Sequence, residues 1–207
     1  MQLSTRPERI ALTRLAMRQD SLRYHVRPCS PTPALLILIT DMQSDDSGPV
    51  VVPFLGDRAC TFLFDETRDD PDLRAALAAL LDPKSTLLAD AEPFVIAYCK
   101  DTLAHYPDDW ERPPVKLEKP GDVWSYVQFG NEFVVSRRAD GDDEDGIYFS
   151  LECNCDWEPE HGLQLVIRDG CAVTKVGSFD GHLTNADAFD DRSLAGVVYM
   201  PIGDAGP

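Results

Sequence analysis

The side chains best suited to chemistry lie together in the segment Asp156-Trp-Glu-Pro-Glu-His161. Three carboxylates and one imidazole fall within six residues, and Pro159 with Gly162 predicts a turn. Because a turn directs successive side chains to different sides, its oxygens can converge on a cation or on a partner's arginine. Glu160 beside His161 is also an arrangement suited to acid–base catalysis. The structural alternative is a polar turn whose carboxylates cap backbone amides while Trp157 packs over the sheet edge.

A second polar loop, residues 177–187, follows the last predicted strand. If the two loops are neighbours in the fold, Asp180 and His182 approach Glu160. We therefore predict one binding surface formed by the two loops, and no catalytic residues. The predicted binding residues are Asp156, Trp157, Glu158, Glu160, His161, Asp180 and His182.

A metal site is the alternative use of the same turn. Cys153 and Cys155 are closer in sequence than the usual zinc pair, although both sulfurs point to one face of a strand. His161 would be a third ligand, and the fourth would have to be Asp156 or His182. Paired core thiols are the better interpretation of the cysteines. Calcium or zinc at the 156–161 turn remains the alternative, and the sequence assigns no metal ligand or cofactor.

Enzyme motifs are missing from the chain. It contains no G-x-S-x-G, Walker loop, H-E-x-x-H or dinucleotide-binding glycine pattern. Only four histidines are available as general bases. The sequence therefore favours a binding role over catalysis, with metal-dependent hydrolysis as the enzymatic alternative.

Strands predicted in the C-terminal half position these loops. Asp169-Gly170 between two β-rich runs predicts a tight hairpin, and Gly130-Asn131 and Asp140-Gly141 predict further turns. Two shorter strands are expected at 50–52 and 61–64. The predicted C-terminal strands span 123–129, 132–138, 146–152, 163–168 and 171–177.

Two helices are predicted between these groups of strands. Asp69-Asp70-Pro71 predicts the start of the first, and its leucines at 73, 77, 80 and 81 share one face. The second is predicted to start at Asp90, with Pro93 in its first turn, and to stop before Pro107. The sequence thus predicts an α+β fold: two helices packed near an antiparallel sheet built mainly from the C-terminal half.

The composition indicates which classes of partner the protein can bind. A net charge of −17 repels phosphate backbones, which argues against nucleic acid and favours a basic partner. The apolar run 34–39 is too short to cross a bilayer, so no membrane partner is expected. Six dispersed cysteines without a C-x-x-C pair indicate mostly reduced thiols in a cytoplasmic protein. We predict a single domain over 42–207.

Residues 1–41 differ from the rest of the chain. They contain six arginines but only three acidic residues. This segment is interpreted as an N-terminal extension, either flexible or upstream of a true start at Met42. The Arg-rich composition also has some likeness to an organelle transit peptide, and 34–40 could equally be a first strand.

Three segments carry a family resemblance: 123–130, 147–166 and 181–187. They include a cysteine, an acid–tryptophan pair and then Glu160-His-Gly-Leu163. Over roughly 48–200 the chain resembles a bacterial family known only as a domain of unknown function. The resemblance carries no activity or site residues. Small acidic proteins of this kind are often immunity proteins, which implies a basic toxin domain as the partner.

Overall fold

The computed structural model describes residues 48–64, 70–106, 111, 113–138 and 145–202. The described part forms an α+β fold around a six-stranded sheet with its strands in sequence order, as predicted. Residues 1–41 and the Asp140-Gly141 turn lie outside the described residues. The strands are β1 (Val50–Val52), β2 (Arg58–Phe64), β3 (Val127–Arg138), β4 (Gly146–Cys155), β5 (Leu163–Arg168) and β6 (Ala172–Gly177).

Two long helices lie between β2 and β3. Helix α1 (Pro71–Leu80) starts as predicted: the Asp70 side chain accepts a hydrogen bond from Asp72 N–H, and Pro71 occupies the first turn. Helix α2 (Leu87–Ala104) begins three residues before the predicted start at Asp90. Pro93 therefore lies inside α2 rather than in its first turn. A short helix, α3 (Asn185–Ala188), follows the sheet.

The sheet is mostly antiparallel but contains one parallel pair. Strands β3 to β6 pair antiparallel with their neighbours, as do β1 and β2. Strand β2 runs parallel to β3, with Phe62 opposite Phe133. This one pair departs from the predicted antiparallel arrangement, because the chain between β2 and β3 crosses over through both helices. Parallel neighbours require a crossover of this kind.

The predicted turn at Gly130-Asn131 was wrong. Residues 127–138 form one strand, and a shift in register against β4 lies between Phe129 and Phe133. A Cβ on Gly130 would overlap the Glu152 carbonyl oxygen of β4. Glycine is needed at this bulge because the two backbones approach closely. Residues 123–126, predicted as part of a strand, lie instead in a 3-10 helix (Asp122–Tyr126).

The two faces of the sheet differ in what covers them. One face carries Phe133, Phe149 and Leu165 into the main core, where α1 contacts β4 and α2 contacts β6. The opposite face carries polar residues that are buried over β4 to β6: Ser150, Gln164 and Lys175. The chain from 180 to 187 bonds to this face, which brings the second predicted loop onto the sheet.

Candidate functional site

The 156–161 turn is fixed to the end of β4 through its backbone and Trp157. The Glu158 carbonyl accepts a hydrogen bond from Gly162 N–H at 3.0 Å. Gly162 has a φ of +61°, and a Cβ there would overlap the Cys153 carbonyl, so glycine closes the turn. Trp157 is completely buried, with its ring 6.1 Å from that of Tyr98 on α2. The structure thus places Trp157 in the core, beneath the surface proposed from the sequence.

The remaining predicted residues of the turn differ in their contacts. Glu158 Oε1 accepts hydrogen bonds from the backbone N–H groups of Glu160 (3.2 Å) and His161 (3.3 Å). It therefore caps the turn as the structural alternative predicted, and it lies 3.6 Å from His161 Nδ1. Asp156 is exposed and accepts a 2.9 Å hydrogen bond from Gln128 Nε2. Glu160 is exposed.

The second predicted loop lies directly against this turn. Phe179 N–H donates a 3.1 Å hydrogen bond to the His161 carbonyl. Within the loop, Asp180 Oδ1 accepts a hydrogen bond from His182 N–H at 2.9 Å and lies 3.3 Å from His182 Nδ1. The two loops are neighbours, as the sequence argument assumed. The contacts join the loop to His161 rather than to Glu160.

A buried lysine beneath the loop holds it in place. The Lys175 side chain on β6 is 3% exposed, and its ammonium donates to Asp180 Oδ1. It also donates to Gln164 Oε1 (3.0 Å) and to the His182 carbonyl (3.4 Å). These acceptors match the three protons of an ammonium. The loop 178–182 is thus anchored to the sheet by a buried charge.

Burial and pairing shift the pKa values of this ion pair. Burial lowers the pKa of Lys175 below its usual value, although Asp180 and Asp187 act against that shift. Burial acts to raise the pKa of Asp180, but the hydrogen bonds from Lys175 and His182 N–H outweigh it, and the net pKa is lowered. Asp180 is therefore ionised at neutral pH and compensates the buried ammonium.

A cavity of about 160 Å³ opens between the two loops, α2 and the C-terminal segment. Tyr98 donates a 2.9 Å hydrogen bond from its hydroxyl to the Gly162 carbonyl, and the Tyr199 hydroxyl bonds to Asp101 at 2.7 Å. The Thr102 hydroxyl is buried beside that of Tyr98, and no described residue donates a hydrogen bond to its Oγ1. The lining includes Tyr98, Thr102, Glu158, His161, Asp180 and Tyr199.

Sequence reasoning missed Lys175 and the helix residues of this cavity. The sequence does contain one indication of a buried charge. Lys175 interrupts a predicted strand that is rich in apolar residues, Cys171-Ala-Val-Thr-Lys-Val176. Nothing in the local sequence indicates that the Tyr98 hydroxyl bonds to the Gly162 carbonyl. Of the predicted residues, Glu158, His161 and Asp180 line the cavity, whereas Asp156, Trp157, Glu160 and His182 do not.

The cysteines fit the packing interpretation. Cys60, Cys99, Cys153 and Cys155 are buried free thiols. Burial raises the pKa of Cys99 to about 11 and those of Cys153 and Cys155 to about 12, so these thiols are protonated. Within the described ranges, no three His, Cys, Asp or Glu side chains are grouped so as to hold a metal ion.

The fold and site define an α+β domain with a small cavity beside two acidic loops. A family model described as "Domain of unknown function (DUF6985)" matches residues 38–183, and the chain belongs to this family. The matched range includes the 156–161 turn and the loop 178–182. No curated protein and no solved structure matches the chain. Among the helices of the described part, none has the length and apolar character needed to cross a membrane.

Proposed function

We propose that this protein is an acidic binding protein that recognises a basic protein, as an immunity protein recognises a bacterial toxin. The observation that carries the proposal is the hydrogen bond between Phe179 N–H and the His161 carbonyl. It joins the turn 156–161 and the loop 178–182 into one surface, which we call the acidic surface. Neither segment contains a lysine or arginine.

Charge and exposed apolar side chains support this use of the acidic surface. Its carboxylates are Asp156, Glu158, Glu160 and Asp180, and the nearby Lys175 is buried beneath them. Phe179 is 39% exposed in the middle of the loop. A stable interface combines a buried apolar centre with a polar rim. The chain's net charge of −17 would speed encounter with a basic partner.

The partner to test is the product of the neighbouring gene, which we expect to be a basic protein that inhibits growth when expressed alone. Co-expression with this protein should restore growth, and the two should co-purify. The association rate should fall steeply with added salt, since salt screens the opposite charges. A neighbouring product that neither binds nor is neutralised would contradict the proposal.

Two charge reversals locate the contact. Glu160→Lys lies on the acidic surface, whereas Glu132→Lys makes the same charge change at the β2–β3 side of the sheet, opposite Thr61. Both side chains are exposed. Because a rim charge acts mainly on the association rate, Glu160→Lys should slow association by about tenfold at low salt. Equal effects of the two variants would show that only overall charge matters.

A further inference from the structure

We propose that the cavity beside the acidic surface receives the side chain of an arginine from the protein partner. This inference rests on the proposed function and adds the chemistry of the residue that enters the site. It depends on three features of the cavity: carboxylate oxygens without protein donors, a buried hydroxyl to which no described residue donates, and an aromatic wall.

Two carboxylates that line the cavity each retain an oxygen without a donor. Glu158 uses Oε1 to bind the backbone of the turn, and no described residue donates to its Oε2. Asp180 uses Oδ1 for Lys175 and His182, and none of the described residues donates to its Oδ2. The two side chains are 24% and 38% exposed, so these oxygens are open to water and to the N–H groups of a ligand that replaces it. Two such oxygens in one cavity favour a ligand with several N–H groups.

An independent feature points to a hydrogen-bonding ligand. Thr102 on α2 is 7% exposed and lines the same cavity. Its hydroxyl lies beside that of Tyr98, which already donates to the Gly162 carbonyl, and no described residue donates a hydrogen bond to Thr102 Oγ1. A buried hydroxyl oxygen can accept a hydrogen bond as well as donate one, and leaving that capacity unused costs free energy. A donor that enters the cavity can supply the missing hydrogen bond.

The aromatic residues suit the flat shape and apolar stem of arginine. The rings of Tyr98 and Tyr199 lie 6.0 Å apart, and both residues line the cavity together with Phe189, which is 40% exposed. Burial raises the pKa of both tyrosines, so their rings stay neutral. A guanidinium carries five N–H donors in one plane and also stacks on aromatic faces.

Lysine and small anions fit these features less well. The only ammonium lining the cavity, that of Lys175, already has acceptors for its three protons in Asp180, Gln164 and the His182 carbonyl. It therefore offers no free donor for an anion. A lysine from the partner would bring a compact charge with three donors, whereas a guanidinium offers five donors to the acceptor oxygens of the cavity.

The direct test titrates the folded full-length protein with N-acetyl-arginine methylamide, whose blocked ends imitate a residue within a protein. NMR chemical shifts of the tyrosine rings and of His161 report binding. A single side chain of this size should bind with a dissociation constant on the order of 1 to 10 mM. The citrulline analogue has the same shape but no charge, and it should bind at least about tenfold more weakly.

Matched variants place the binding in the cavity. Glu158→Gln keeps an oxygen for the backbone of the turn but removes the charge, so binding should weaken by about tenfold. Glu132→Gln makes the same change at an exposed glutamate on the β2–β3 side of the sheet, outside the cavity and the acidic surface, and should leave binding unchanged. Thr102→Val, which keeps the shape of the side chain, should weaken binding by a few-fold. Unfolding curves check that each variant is folded.

Several results would overturn the inference. They are absence of binding, equal binding of the citrulline analogue, and equal weakening by Glu158→Gln and Glu132→Gln. Tighter binding of free arginine than of the blocked form would show that the site takes a small molecule rather than a side chain. If the blocked arginine fails to bind but the neighbouring gene product still binds through Glu160, the proposed function stands and only the arginine assignment fails.

Discussion

Replacing Asp180 with asparagine keeps an oxygen for the Lys175 ammonium but removes the charge that compensates it. Lys175 is 3% exposed, so the ammonium cannot regain water without opening the loop. Loss of one partner from a fully buried ion pair costs about 3–5 kcal/mol. The Asp180 side chain is 38% exposed, and solvent already screens part of the attraction. We therefore expect Asp180→Asn to lower the free energy of unfolding by about 2 kcal/mol.

Lys175→Met tests the same pair from the other side. Methionine keeps most of the apolar stem, but Gln164 Oε1, which is buried, loses its donor. We expect a loss of about 1–2 kcal/mol in the otherwise unchanged protein. In the Asp180→Asn background, however, the same substitution removes a buried charge that has lost its compensation. The double variant should therefore be more stable than Asp180→Asn alone.

Urea unfolding at pH 7 of the unmodified protein, the two single variants and the double variant measures these free energies. It shows whether Lys175→Met destabilises the unmodified protein but stabilises the Asp180→Asn protein. Asp156→Asn is the control, because Asp156 is exposed and bonded to a neutral amide; its effect should stay within about 0.5 kcal/mol. The reasoning is refuted if Lys175→Met also destabilises the Asp180→Asn protein. Additivity of the two single effects within about 0.5 kcal/mol would likewise show that the two side chains do not interact.

Three further predictions concern the turn, the hairpin and the response to acid. Gly170→Ala should lower the free energy of unfolding by about 3 kcal/mol or more, because a Cβ there would overlap the backbone of α1 at Ala76. Gly56→Ala is the control in the same unfolding assay: Gly56 has nearly the same φ but open space around it, and the substitution should cost about 1 kcal/mol. Tyr98→Phe should cost about 1–2 kcal/mol, since the buried Gly162 carbonyl loses its donor; unchanged stability would contradict this. The pKa of Asp180 is lower in the folded protein than in the unfolded chain. Its contribution to the free energy of unfolding should therefore be complete above the ordinary aspartate pKa of about 3.9, and it should be lost as the pH falls through the pKa of the folded protein. The stability difference between the unmodified protein and Asp180→Asn should therefore shrink below about pH 4, and a constant difference down to pH 2 would disprove it.

Features that depend on neighbouring residues in the sequence could be predicted. The Asp169-Gly170 turn forms as expected, with φ values of +51° and +71°, because few other residue pairs adopt two left-handed conformations in succession. The start of α1 at Asp70-Pro71 and its leucine face also follow from local preferences. The start of α2 does not follow from local preferences. The helix begins after Thr86, before the predicted start at Asp90, because the buried Leu87 packs in the core and extends the helix.

Features that depend on distant residues could not be predicted. Gly130 looks like a turn residue, but its role is set by the close approach of Glu152 on a strand that follows much later. Trp157 appeared suited to a surface because it lies among carboxylates, yet it packs against Tyr98 in the core. The cavity combines residues of α2, the two loops and the C-terminal segment, and no local pattern indicates that they meet.

The order of the strands has a consequence for how the chain folds and opens. Strands β3 to β6 form a meander in which each strand pairs with the next along the chain. Strand β2 can join only after both helices have folded back, because Thr61 pairs with Glu132. Closing that long loop costs entropy, so this pairing is the slower event. Backbone amides of β1 and β2 should therefore exchange with solvent through openings that leave the meander intact.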